Sequence, residues 1–138
     1  VNCMITIYLD KELDTLIYTV VGDVVYAEIR DVIDTYYKGK LTKYTIGDYS
    51  QANPTKHLSG EETQQLGLQV KSLAAKRPNG IDLLVVPGIV QYGVARMYKT
   101  YSEMPGNGAQ KLRLRIFNKK EDALAFIRQN EQPPKEDK

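Results

Sequence analysis

The sequence predicts one α/β domain, a mixed five-stranded sheet with four helices in the order β-β-α-β-α-β-α-β-α. Three observations carry that expectation. Residues 81–86, Ile-Asp-Leu-Leu-Val-Val, form an apolar run without alternation, the mark of a strand covered on both faces. Pro87-Gly88 breaks the run, and apolar residues at three- and four-residue spacing follow, so this strand feeds a covering helix. Farther on, Leu112, Leu114 and Ile116 alternate with Arg113 and Arg115, as in a strand with one wet face near a sheet edge.

Taken in order, Ile5, Ile7 and Leu9 alternate with polar or aromatic residues, residues 10–14 interrupt, and residues 16–21 resume β-prone composition, which reads as a hairpin. After Gly22, Asp23 is placed to cap a helix whose apolar positions are Val25, Ile29, Val32, Ile33 and Tyr36, ending near Gly39. Residues 42–46 read as a third strand and the polar residues 47–57 as a long loop. Ser59-Gly60-Glu61-Glu62 opens the next helix as a capping box, with Leu66, Val70, Leu73 and Ala74 as its buried stripe and Pro78-Asn79-Gly80 as its stop. Val90, Val94, Met97 and Tyr101 give the third helix its apolar face, and Gly93 reads as a point of close approach, since glycine within a helix otherwise costs about 1 kcal/mol. Residues 105–108, Pro-Gly-Asn-Gly, read as a turn or mobile loop. Asn118 with Glu121 repeats the capping logic for a last helix burying Leu124, Phe126 and Ile127. The domain is expected to span residues 1–131, with a disordered charged tail from Gln132. Leu83 to Val86 is expected at the centre of the sheet.

Composition narrows the function classes. With 138 residues, 42% hydrophobic, the chain can bury one core and has no room for two. Nineteen Lys and Arg against 17 Asp and Glu, scattered along the chain, give a net charge of +2, too small and diffuse to argue for nucleic acid. Cys3 is the single cysteine and has no partner for a disulfide or a metal. No stretch approaches the apolar length of a membrane span, and the first residues lack a secretory pattern, so a cytoplasmic protein is expected.

The element order, the run Leu83-Leu84-Val85-Val86-Pro87, the segment Tyr92-Gly93-Val94-Ala95-Arg96-Met97-Tyr98 and the ending from Ile116-Phe117-Asn118 to Ala125-Phe126-Ile127 resemble the SpoIIAA-like branch of the STAS (sulphate transporter and anti-sigma-factor antagonist) superfamily. The likeness covers residues 5–127 and includes no catalytic signature. It implies a non-enzymatic domain that binds a protein partner, often under phosphorylation control, or in related domains a lipid or other small apolar ligand; a homodimer is also compatible with it.

Two segments bear on phosphorylation. In regulated relatives the acceptor is a serine or threonine opening the helix after the third strand, in an Asp-Ser-Ser-Gly-like run; here His57-Leu58-Ser59-Gly60 keeps the Ser-Gly pair, with Leu58 in the acidic position. A phosphate on Ser59 would gain from free amides and the helix dipole and lose to Glu61 and Glu62, so Ser59 reads first as a helix cap. Asp48-Tyr49-Ser50 resembles the Asp-x-Ser that often ends the third strand in the family, and reads as a turn-forming segment. Ser59, Ser50 and Asp48 are thus the candidate regulatory or partner-binding residues.

Nothing points to catalysis. His57 is the sole histidine and lacks a neighbouring carboxylate, which suits a solvent-facing loop residue. Gly88 between strand and helix is one glycine and makes no dinucleotide fingerprint. No cofactor and no metal are expected. Ten tyrosines without a tryptophan suggest a pocket or contact surface, with Tyr36 and Tyr101 on inner stripes and Tyr92, Tyr98 and Arg96 as candidate ligand or contact residues; Arg96 reads first as one half of a surface ion pair. The sequence therefore points to a cytosolic, non-enzymatic binding domain, with a protein partner preferred over a small apolar ligand.

Overall fold

The computed structural model describes residues 2–104 and 113–133. Strands β1 (Met4–Asp10), β2 (Thr15–Gly22), β3 (Tyr44–Ala52), β4 (Ile81–Val85) and β5 (Arg113–Phe117) lie in the order β1-β2-β3-β4-β5. The first pair is an antiparallel hairpin; β2 to β5 run parallel. Helices α1 (Tyr26–Lys38), α2 (Gly60–Leu73), α3 (Ile89–Ser102) and α4 (Lys120–Asn130) make the crossovers and the close, with a short 3₁₀ turn Ala74–Lys76 after α2. The expected mixed sheet and element order are present. Residues 105–108, Leu112 and residues 134–138, for which a loop, a strand position and a disordered tail are expected, lie outside the described residues.

Period-two alternation sorts each strand between two layers. Leu16, Tyr18 and Val20 of β2 turn toward α1, α2 and α3, where Val20, Ile29, Ile33, Leu66 and Val70 form one core. Ile17, Tyr44, Ile46, Leu83 and Val85 turn to the other face, where Ala123 and Ile127 of α4 cover them and Leu124 and Phe126 pack alongside. All five residues of β4 are buried. The middle strand, however, is β3, and β4 lies between it and β5.

β3 is longer than residues 42–46, and Gly47 to Ala52 are strand rather than loop. Parallel partners on both sides up to Asp48, and β2 alone at Gln51 and Ala52, take up backbone groups that polar side chains alone suggested were exposed. Gly47 admits the ring of Tyr18 across its face: a Cβ there would lie 2.3 Å from the Tyr18 hydroxyl. Past Asp48 the register against β2 slips, with Thr19 opposite Asp48 and Val21 opposite Gln51, so β3 carries an extra residue. Buried Asp48 serves that bulge by accepting from the Ser50 N–H at 2.9 Å. The turn-like hydrogen bond read from Asp48-Tyr49-Ser50 exists, inside a strand.

Helix starts divide sharply. Ser59 forms the full capping box: its Oγ accepts from Glu62 N–H at 3.1 Å, and its own N–H donates to Glu62 Oε1 at 2.9 Å. Asp23 does not cap α1, which starts after Val25; its carboxylate accepts instead from Asn53 Nδ2 at 3.0 Å and ties the end of β2 to the loop beyond β3. Asn118 does not cap α4 either, because the helix begins one residue later with Lys119 at the cap, and Glu121 and Asp122 supply the favourable charge in its first turn.

α3 buries only part of the face its large apolar residues suggest, Val94 and Tyr101 turning inward and Val90 and Met97 outward. Ala95 and Ser102 are buried and Val94 and Tyr98 half-buried, while Val90 and Met97 are exposed. Small residues let α3 sit close to the sheet and to α2. The glycine that permits this is Gly67 of α2, where a Cβ would stand 2.5 Å from Tyr101 Cβ; Gly93 has open space around it.

Candidate functional site

The amino and carboxyl ends of the parallel strands are built from different chemistry. At the amino end Arg77, between the 3₁₀ turn and β4, is buried with Asp82, the one charge within the apolar run of β4. Arg77 Nη1 lies 2.7 Å from Asp82 Oδ1, Nε donates to the Thr42 carbonyl at 2.9 Å, and Nη2 donates to the Lys43 carbonyl at 2.9 Å. Thr45 Oγ1 donates to the same Asp82 oxygen at 2.6 Å, and the guanidinium stacks over Tyr36 at 5.4 Å. Burial, the largest single influence, lowers the Arg77 pKa, but the Asp82 carboxylate together with the Tyr37 and Tyr36 phenols holds the group above its ordinary value. Desolvation, reinforced by Asp82, pushes Tyr37 up to about 12, so this phenol stays neutral and accepts from Arg77 Nη1 at 3.2 Å. On the opposite layer Lys43 Nζ and the Tyr44 hydroxyl both donate to Glu131 Oε2, at 2.7 and 2.5 Å, and clasp the end of α4.

At the carboxyl end, the space between β2–β4 and the three helices α1, α2 and α3 holds a cavity of about 60 Å³, floored by Tyr18, Tyr49 and Leu84 and walled by Ile29, Leu66, Val94 and Tyr98. The Tyr18 and Tyr49 hydroxyls lie 3.4 Å apart with their rings edge to face. Burial pushes Tyr49 up to about 12 and Tyr18 and Tyr98 well above the ordinary phenol, so the cavity holds neutral hydroxyls. A smaller space of about 30 Å³ shares Tyr18, Ile33, Leu84 and Tyr98 with it and reaches Arg77 and Asp82.

Outside the cavity, the first turns of α3 present apolar side chains to water. Ile89 is 93% exposed and Val90 54%, with Tyr92 and Met97 also exposed. Met97 reaches the start of α2, where its thioether lies 3.9 Å from the Cβ position of Gly60, beside Ser59. The loop before Ser59 is strapped to the end of β2 by Asn53 N–H to the Gly22 carbonyl at 2.7 Å and Val24 N–H to the Lys56 carbonyl at 3.0 Å. Leu58 is buried from this loop and lines the cavity, while exposed His57 sits at its mouth with Nδ1 3.0 Å from the Leu58 carbonyl.

The candidate residues therefore separate. Ser59 and Tyr92 are exposed on the α2–α3 side, and the Arg96 guanidinium lies over the Tyr92 ring at 6.0 Å. Tyr98 points inward to the cavity, and Asp48 and Ser50 belong to the β3 bulge. Sequence reasoning passed over Arg77 and Asp82, although an acid inside a doubly covered strand requires a buried partner. It also assigned Val90 and Met97 inward, so the apolar ridge went unseen.

No family model matches the chain, and no curated protein does. Solved structures similar to this chain include the STAS domain of an antisigma-factor antagonist from Rhodobacter sphaeroides, 15% identical, with 84% of this chain and 86% of that chain covered at a TM-score of 0.34. The fold described here rests on the strand order and helices above, not on that likeness. Among the described residues no helix is long and apolar enough to cross a membrane, and no group of three potential metal ligands occurs.

Proposed function

We propose that this chain is a non-enzymatic, cytosolic protein-interaction module whose contact surface is the apolar ridge of α3, Ile89, Val90, Tyr92 and Met97, together with Ser59 at the start of α2. The observation that carries this reading is the 93% exposure of Ile89 beside three further exposed apolar side chains. Three such residues on the first turns of α3, with Met97 farther along the same helix, support a contact site where a single exposed leucine would not. Size argues against the small-ligand alternative. A cavity of about 60 Å³ is less than half the roughly 150 Å³ that accepts benzene, which favours a protein contact over an enclosed acyl chain.

Ser59 acts in this reading as a cap within the contact surface, since its hydroxyl and amide are both engaged by Glu62. Ser59→Asp keeps a capping side chain and adds charge. Binding by the Asp variant equal to wild type supports a constitutive surface; lost binding with an unchanged melting temperature would support phosphoregulation instead. The module itself is tested by Ile89→Ser with Tyr92→Ala. This pair should leave the thermal melt intact and weaken partner binding at least tenfold, and unchanged binding would sink the assignment of the ridge.

A further inference from the structure

The two outer edges of the sheet are finished differently. On β5 the Leu114 N–H donates to Glu103 Oε2 at 2.8 Å, and its carbonyl accepts from Lys99 Nζ at 2.9 Å, so two α3 side chains occupy the edge; Arg113 and Arg115 stand exposed beside it. β1 has none of these protections. It carries no charge before Asp10, no proline and no bulge, and among the described residues nothing outside the hairpin bonds the backbone of Met4 to Leu9. Met4, Ile7 and Tyr8 are 59%, 55% and 63% exposed. An unguarded apolar edge is a template for strand pairing.

We propose that β1 pairs antiparallel with β1 of a second copy of this chain, about a two-fold axis at Thr6, joining the two sheets into one. A two-fold normal to the sheet preserves its faces, so only residues of like face come opposite one another. With the axis at Thr6, Met4 meets the second copy's Tyr8, Ile5 meets its Ile7, and Thr6 meets Thr6. Each exposed apolar side chain then finds an apolar partner, and the Met-aromatic and Thr-Thr pairs are favourable cross-strand contacts. An axis at Ile7 would set Met4 against Asp10. A second copy also satisfies two bare edges at once, which an unrelated extended peptide does not. With the axis at Thr6 the residues of β1 that face one another run from Met4 to Tyr8 and span about 17 Å, and with side chains on both faces the contact covers on the order of 350 Å² per copy, the size of a weak, transient interface. The dimer is accordingly concentration-dependent. This inference uses a different part of the molecule from the α3 ridge and stands or falls separately from it.

Sedimentation equilibrium of the full chain from roughly 1 µM to about 1 mM should show the mass rising from 15.6 kDa toward twice that value. Met4→Lys with Tyr8→Lys should raise the dissociation constant at least tenfold with the circular-dichroism spectrum unchanged. In a Cys3→Ser background, Thr6→Cys should close a disulfide across the axis under mild oxidation, since facing Cα atoms in an antiparallel pair lie about 4.5–5.5 Å apart. Lys38→Cys, on the exposed end of α1, should not. A chain that stays monomeric throughout, a dimer indifferent to the two lysines, or Thr6→Cys crosslinking no faster than Lys38→Cys would each overturn the proposal. If the lysine pair prevents folding, the Thr6→Cys comparison decides alone.

Discussion

At the amino end of the parallel strands the charged residues are inside, and at the carboxyl end the apolar residues are outside. Arg77 and Asp82 are held by each other, by Thr45 and by two backbone carbonyls, so nearly every polar group of the pair is satisfied. Ile89 and Val90 stand largely in water. Removing charges from water costs several kcal/mol per ion and is tolerated where geometry is complete, so the amino end serves register and uniqueness of packing. Leaving isoleucine in water forgoes about 2 kcal/mol of burial and adds nothing to folding, which is why the proposed contact surface is placed at the carboxyl end. On that proposal the buried ion pair and the contact surface lie at opposite ends of the same strands.

The contrast can be broken first at its buried end. Asp82→Ala leaves the Arg77 charge uncompensated in the interior and should cost about 3–5 kcal/mol in a denaturant melt. Adding Arg77→Met to it should recover part of that loss, and a double variant worse than the single would contradict the pairing. Next comes pH. Tyr37 and Tyr49 sit near 12 in the folded chain and near 10 unfolded, so their protonated forms stabilise the fold fully below pH 10. That contribution, roughly 2–3 kcal/mol per group at most, is lost as pH rises from 10 to 12, and the urea midpoint should fall across that window.

Two glycines on adjoining helices sharpen the comparison. Gly67→Ala places a methyl against Tyr101 and should destabilise by about 1–3 kcal/mol, whereas Gly93→Ala enters open space and should stabilise by up to about 1 kcal/mol through helix propensity. Equal signs for the two would mean that α2 and α3 do not approach as described. Ser59→Ala, which removes the capping box, should lower stability by about 1 kcal/mol. The smallest effect on folding belongs to Ile89→Ser, within about 0.5 kcal/mol of wild type in a melt.

Most of the architecture is legible in the sequence because the signals are period and punctuation. The unalternated β4 run, the Ser59 box and the Leu114-Ile116 alternation each appear where they are expected. The failures share a physical cause, which is that neighbours rather than local chemistry decide the outcome. Gly47, Asp48, Ser50 and Gln51 have loop composition, yet β2 and β4 hold the first two extended and β2 alone pairs with Gln51 beyond the bulge. Asp23 and Asn118 have capping chemistry, but their helices start later. Val90 and Met97 are apolar at helical spacing, while Ala95 and Ser102 occupy the inward face because close packing against α2 favours small side chains. Of the candidate site, the capping chemistry of Ser59 is legible in the sequence, whereas the exposure of Val90 and Met97 is not. The Arg77–Asp82 pair could have been read from Asp82 alone.

On the proposed reading, the α3 ridge is the working surface of this protein. A photo-crosslinking amino acid placed at position 89 in the full chain, expressed in its native cell and irradiated, should capture one dominant protein; the same group at position 38 should not capture it, and Tyr92→Asp should abolish the capture at 89. Equal capture at both positions, or capture that survives Tyr92→Asp, would contradict the account.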